Sequence, residues 1–334
     1  MMQTDALRIL VIRRDNIGDL VCTTPLLREL RRQLPQARIE CLVTRYNQAV
    51  LQDHPDIDAL HAYIKAKHRA ADESVASIYW QRLRTVAALR RQHFDWVILP
   101  GGSASALRFA RWIAGKRVLV RDDQDSLAGS HEVEQCCHLL TRMGLDYAAP
   151  PCLIRANPAE IGALQARLTA AFPTPPRRLI ALHISARKPS QRWPAEAFAS
   201  LARKLANDGC ACLLLWAPGS ADNPQHPGDD EKAKQVMDLA YGVPMLPVPT
   251  HRLEELIAAL SLCDHMICGD GGAMHLAAGL GKPIVALFGH SSVSHWRPWG
   301  VPQVILQKPS LEVSDISVTE VADAVKQLDQ KRDR

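Results

Sequence analysis

Residues 7–30, LRILVIRRDNIGDLVCTTPLLREL, decide the fold. The run 8–12 (RILVI) is short and β-branched, which suits a buried strand. After it comes a charged loop, RRDNIGDL (13–20), and then a stretch carrying Leu20, Leu26, Leu27, Leu30 and Leu34. Those leucines recur at helical spacing, so 19–34 is expected to be a helix with one face on a sheet. Strand, polar loop and amphipathic helix in that order open a βαβ unit, and such loops are where open α/β sheets hold ligands. The loop has three readings: a phosphate cradle, a catalytic carboxylate site built on Asp15 or Asp19, or an ordinary helix cap.

Working outward, the alternation continues. Strand-like runs lie at 38–43, 58–63, 95–99 and 117–120, with helical patterns at 74–92, 104–114 and 131–143. The segment 171–178, AFPTPPRR, carries three prolines in four residues and cannot continue a helix. Beyond it strands are expected at 179–184, 211–216, 264–268, 283–287 and 303–306. The helices expected with them are 194–207, 229–240, 252–261, 272–280 and 318–331. The pattern predicts an α/β protein of two doubly wound, mainly parallel sheets. The domains are placed at 1–170 and 179–334, joined at about 171–178, with the last helix packing back on the first domain. A cleft between the two sheets is the expected ligand site.

Bulk composition narrows the function. The 334 residues are 47% hydrophobic and 22% charged, with a formal net charge of +5. That balance suits anionic small molecules or an anionic membrane face, and no dense Lys/Arg block marks a nucleic-acid binder. The nine cysteines form no CxxC pair and no zinc spacing, which fits a reducing compartment and small core residues. No secretory signal or membrane-spanning run is visible, so the cytoplasm is the expected location. GxGxxG after the first strand, GxxxxGK[ST], GxSxG and HExxH are all missing. Nicotinamide-dependent, P-loop, α/β-hydrolase and zincin chemistry are therefore disfavoured.

Three further stretches carry candidate chemistry. In 267–289, ICGDGGAMHLAAGLGKPIVALFG, an apolar strand runs through Asp270 into Gly271, Gly272 and Ala273 at a helix start. Glycines there let backbone N–H groups approach a diphosphate, and the helix dipole adds positive potential. Asp270 either accepts hydrogen bonds from sugar hydroxyls or merely caps the helix. His275, one turn on, is as well explained by packing. In 182–198, LHISARKPSQRWPAEAF, Ser185 and the cations Arg187, Lys188 and Arg192 follow a strand and offer an anion contact or a solvated loop. In 216–233, Asp229, Asp230 and Glu231 open a helix, favourable for the dipole alone but also able to meet a ribose.

Taken together, the stretches resemble a known family. ILVIRRDNIGDLVCTTPLLRELRRQLPQARIECLV (9–43), CGDGGAMHLAAGLGKPIVALFG (268–289) and QRWPAEAF (191–198) resemble three signatures of glycosyltransferase family 9, the ADP-heptose:lipopolysaccharide heptosyltransferases, in the right order. The resemblance implies the GT-B architecture, two Rossmann-like domains facing across a cleft. It also implies an inverting, metal-independent transfer of heptose from ADP-heptose to a lipid-anchored lipopolysaccharide core acceptor. No cofactor is called for, and a peripheral contact with the inner membrane is expected.

Carried over residue by residue, Asp19 is the general base. Asp270 contacts the donor sugar, Gly271, Gly272 and Ala273 hold the diphosphate with His275 beside them, and Asp229 meets the ribose. Asn16, Arg13 and Arg14 are the expected acceptor contacts, and Gly18 lets the chain turn tightly. Acceptor selection falls to loops at about 44–72 and 100–131. The sequence departs from the family in having Gln191 where Lys commonly precedes Arg-Trp-Pro, so cationic help must come from Arg192, Lys188 or Arg187. Alternatives on the same fold are a transferase for another nucleotide-sugar or acceptor, a nucleotide-sugar epimerase, and a non-catalytic sugar-nucleotide-binding protein.

Overall fold

A computed structural model describes residues 7–64, 74–102, 104–114, 117–121, 127, 129–222 and 228–332. The loops expected to choose the acceptor, 44–72 and 100–131, lie partly outside these residues, as does part of 216–233. The chain divides into two compact units, Met1–Arg155 and Ala156–Arg334.

The first unit holds five parallel strands: β1 (Arg8–Ile12), β2 (Arg38–Thr44), β3 (Ala59–Tyr63), β4 (Trp96–Leu99) and β5 (Val118–Val120). Their order is β3-β2-β1-β4-β5. β1 sits centrally, paired with β2 on one side and β4 on the other, so strand order reverses between β1 and β4. Ile9, Leu10, Val11 and Ile12 are all buried because helices cover both faces of the sheet. Leu10, Ile12, Val97, Leu99, Ala106 and Ala110 belong to the core on one side.

The second unit holds six: β6 (Arg178–His183), β7 (Cys210–Trp216), β8 (Met245–Pro249), β9 (His265–Gly269), β10 (Ile284–Phe288) and β11 (Gln303–Gln307). The order is β11-β10-β9-β6-β7-β8 and every pairing is parallel. Here the reversal falls between β6 and β9. Trp193 anchors this unit: its ring meets Phe198 edge-on at 4.9 Å and its indole N–H donates to the Ile316 carbonyl at 2.8 Å. An indole buried with its one donor satisfied supplies a large apolar area at no polar cost.

Several expectations change. The helix expected at 19–34 is two helices, Ile17–Val21 and Thr24–Gln33, with Pro25 in the first turn of the second. Proline has no N–H to give, and a helix start is where none is needed. Pro158–Ala171 is a helix packed on Leu253–Leu262, so the proline-rich 171–178 falls inside the second unit and leads into β6. The last helix, Val318–Arg332, places Val321, Ala324, Val325 and Leu328 in the core of its own unit. All nine cysteines are free and buried, and burial pushes the Cys212 thiol up to about 12. Among the described residues no helix is long and apolar enough to cross a membrane.

Candidate functional site

Within each sheet, the loops that leave the strands on either side of the order reversal stand side by side. In the first unit the loop after β1 carries Arg13 to Asn16, and Asp19 sits in the first turn of the short helix Ile17–Val21. Gly101, just beyond β4, lies so close to Asp15 that a Cβ there would collide with its carboxylate. The Asp19 carboxylate is shared out. Its Oδ1 accepts from Arg13 Nη2 at 2.9 Å, and its Oδ2 accepts from the Asn16 backbone N–H and Nδ2, both at 3.0 Å. A carboxylate offers about four lone-pair positions, so three are taken and Oδ1 keeps one. The side chain is 15% exposed, enough for that position to be reached. The capping reading of this aspartate is therefore correct as far as Oδ2 goes.

Arg13 is the centre of this unit's site, and in a way the sequence did not suggest. Expected as an acceptor contact, it is 2% exposed. It pairs with Asp15 at 3.1 Å, Asp19 at 2.9 Å and Glu132 at 2.7 Å. Burial alone would lower its pKa, but Cys136 and the three carboxylates outweigh it and raise the value above its ordinary one. Glu132, itself buried, takes Arg121 on its other oxygen at 2.8 Å. Arg14 points elsewhere: its guanidinium lies over the rings of Tyr63 and Phe109 at 5.0 and 5.2 Å and its Nε donates to the Tyr63 hydroxyl. Asn16 is exposed. Gly18 is buried within the helix and needs no left-handed angle, so the tight turn expected of it is absent.

In the second unit β6 and β9 run side by side, His183 opposite Cys268. The loops that leave them are joined by Gln191, whose amide donates to Asp270 Oδ2 at 3.0 Å and to Ser291 Oγ at 3.1 Å. The neutral residue thus fills its place by a hydrogen bond to Asp270 rather than by charge. Asp270 does not cap the helix Gly272–Gly279; Gly271 holds the cap position and no side chain bonds the first turn. The first N–H groups of that helix have no intrahelical acceptors. His275 is buried with its ring edge-on to Trp296 at 5.9 Å.

The acidic triplet divides its labour. Asp230 accepts from Trp216 Nε1 at 2.7 Å and from the Gly219 N–H at 2.9 Å, tying the loop after β7 to the helix Asp230–Leu239. Asp229 holds the cap position with no side-chain cap bond. Lys232, which the sequence reading passed over, donates to the Ile184 carbonyl at 2.9 Å and lies over the Phe198 ring. Burial lowers its pKa to about 8, with Asp229 pulling it up and Arg192 pushing it down. The same burial, with Lys232 beside it, holds His183 neutral at about 4. The spacing of Lys232 three residues after Asp229 was the available signal. Ser185 Oγ accepts from the Ala217 N–H at 2.9 Å, Arg192 Nε donates to the Ala186 carbonyl, and Arg187 and Lys188 stand exposed.

Gly228 shows how tightly that corner is built. A Cβ there would overlap the backbone of Gly219, whose φ of +123° already requires glycine. Gly228→Ala is expected to cost about 1–3 kcal/mol by overpacking. Chemical denaturation checks it, and a loss below half a kcal/mol would mean the loop can yield.

Among the described residues no cluster of His, Cys, Asp and Glu could hold a metal ion. Comparison with known proteins gives the family. Residues 82–323 match the family model "Glycosyltransferase family 9 (heptosyltransferase)". Lipopolysaccharide heptosyltransferase 3 of Escherichia coli is 24% identical over 84% of this chain and 83% of its own. The crystal structure of a glycosyl transferase family 9 protein from Veillonella parvula superposes with a TM-score of 0.80 at 21% identity, over 99% of both chains. An Escherichia coli heptosyltransferase solved with ADP-2-deoxy-2-fluoro heptose gives 0.75 at 18%, over 96% of this chain and 99% of that one. The fold is that of the GT-B heptosyltransferases, and the chain belongs to glycosyltransferase family 9.

Proposed function

We propose that the chain transfers heptose from ADP-heptose to a lipopolysaccharide core acceptor with inversion at the anomeric carbon, Asp19 acting as general base. In this reading the acceptor oxygen attacks the anomeric carbon as the bond to the diphosphate breaks. The hydroxyl proton goes to Asp19, and the electron pair leaves on ADP. Proton removal by a placed carboxylate and stabilisation of the departing diphosphate are the two demands of such a displacement. The N–H groups of Gly271, Gly272 and Ala273 with the cations Arg187, Lys188 and Arg192 meet the second, so the leaving charge needs no metal ion. Asp270 Oδ1 and Asp229 receive hydroxyls of the donor sugar and ribose, and His275 packs behind the diphosphate turn. Ser185, fixed on Ala217, borders the same strand end.

The observation that carries the donor assignment is the pair of carboxylates at helix starts, Asp229 in the cap position and Asp270 just before it, neither of which bonds the first turn with its side chain. Supporting it, a relative is a lipopolysaccharide heptosyltransferase and a neighbour of the same fold was solved with an ADP-heptose analogue. A melting-temperature panel tests it. ADP and ADP-heptose are expected to raise stability, by about 2.7 kcal/mol at a hundred times Kd, while UDP, GDP and CMP do not. A preference for UDP would replace the donor. Consumption of ADP-heptose with acceptor omitted would replace transfer by epimerisation or hydrolysis.

A further inference from the structure

The short helical turn Pro189–Gln191 is seated on the ends of two strands. It is closed by the Gln191 N–H, which donates to the Lys188 carbonyl at 3.0 Å. Its backbone lies against Gly269, the last residue of β9, and Gly289, the first after β10. A Cβ on Gly269 would stand 3.0 Å from the Gln191 carbonyl oxygen, and one on Gly289 would stand 2.7 Å from that of Ser190. Glycine at both places lets the turn settle this close. Trp193, buried with its N–H bonded to Ile316, holds the chain two residues further on. The Gln191 side chain therefore starts from a fixed backbone, and it is itself buried.

The amide uses its hydrogens on two partners, Asp270 Oδ2 at 3.0 Å and Ser291 Oγ at 3.1 Å. Ser291 is held in turn. Gln307 Nε2 donates to the carbonyls of Gly289 at 2.7 Å and Ser291 at 3.2 Å, which fixes the loop after β10 to strand β11. Among the described residues Asp270 forms no ion pair and its Oδ1 takes no hydrogen bond. One carboxylate oxygen is pinned by a neutral donor, and the other is left open with the charge undiminished. Such an oxygen makes hydrogen bonds about twice as strong as a neutral acceptor would. A planar amide suits the role because its two N–H groups reach two acceptors at once, whereas an ammonium would pair with the charge.

We propose that Gln191 is a positioning residue for donor selection, turning Asp270 so that Oδ1 meets one hydroxyl of the transferred sugar; this rests on the reading above that Asp270 faces the donor. A sugar that lacks that hydroxyl, or presents it elsewhere, desolvates the carboxylate without pairing it and is rejected. The direction of the carboxylate, and with it the selectivity, is set through Gln307, Ser291 and Gln191.

Calorimetric titration of the full chain with ADP-heptose and with ADP tests it, because ADP lacks the sugar. Gln191→Met has similar length and no donor. It is expected to weaken ADP-heptose about tenfold and ADP less than about twofold, the scale of one hydrogen bond to a charged group. Ser291→Ala leaves the amide in place without its second anchor, and should weaken ADP-heptose about threefold. Gln191→Glu sets a second carboxylate against Asp270. At about pH 8 it should lose at least as much as Gln191→Met, and at about pH 5, where two close carboxylates share a proton, it should regain most of the loss. Equal weakening of ADP and ADP-heptose by Gln191→Met would make the turn a structural support and overturn the proposal. An unchanged ratio of the two affinities would overturn it too, as would a Gln191→Glu variant indifferent to pH. If the parent binds UDP-glucose and not ADP-heptose, the donor reading alone fails, and the ratio of UDP-glucose to UDP affinity decides Gln191 by the same outcomes.

Discussion

Asp19→Asn is expected to lower kcat by about 10²–10⁴-fold, the contribution of a placed general base, while leaving affinity for ADP unchanged. The amide matches the carboxylate in shape, so one oxygen still accepts from Asn16 or Arg13, but it cannot take a proton. The residues proposed to hold the donor lie in the other unit, on loops after β6, β7 and β9, so a loss confined to kcat separates chemistry from binding. The residue is better placed for this than Asp15, which also pairs with Arg13. Asp19 stands on a helix, with its orientation fixed by three hydrogen bonds, whereas Asp15 lies in the loop, 35% exposed. Turnover within tenfold of the parent would remove Asp19 as the base and direct attention to Asp15, for which Asp15→Asn is the matching variant.

Most strands were legible because a parallel sheet covered on both faces demands continuous apolar runs, and β1, β2, β7, β9 and β10 are such runs. β8, MLPVP, was not, because two prolines interrupt its apolar run; it lies at the sheet edge, where a strand with missing N–H groups is tolerated. The helix Pro158–Ala171 was readable in principle, since Asn157 accepts from the Ala159 N–H and proline follows at the first turn. Asp270 and Asp19 stood out in the sequence because each carries a local signal, the first beside glycines at a strand end and the second after a polar loop. Glu132 and Arg121 escaped, and Gln191 was noticed without its bond to Asp270, because the partners lie far away in sequence: Arg13 is 119 residues from Glu132, and Asp270 is 79 from Gln191. A buried ion pair has no periodicity to read. Arg13 was misjudged for the same reason, since an arginine on a loop is usually solvated until something distant buries it.

The second large effect is therefore expected one residue removed from the proposed base, at the carboxylate on the far side of Arg13. Glu132→Leu should destabilise the first unit by about 3–5 kcal/mol, the cost of stripping a buried ion of its partner. Two guanidiniums converge on this one carboxylate, Arg13 at 2.7 Å and Arg121 at 2.8 Å. Without it the Arg13 charge, with almost no access to water, has only Asp15 and Asp19 to lean on. Burial of an ion pair is a poor source of net stability, so removing both charges should cost less than removing one. Glu132→Leu combined with Arg13→Met is thus expected to be more stable than the sum of the single variants by about 0.5–3 kcal/mol, the usual size of coupling between residues in contact. Its kcat should nevertheless fall, because Asp19 loses the guanidinium that fixes Oδ1, and a base misplaced by an ångström loses much of its rate. Urea denaturation of the four proteins in the cycle measures the coupling. If Glu132→Leu stays within half a kcal/mol of the parent, Arg13 does not depend on that carboxylate, and the buried network does not hold the base in place.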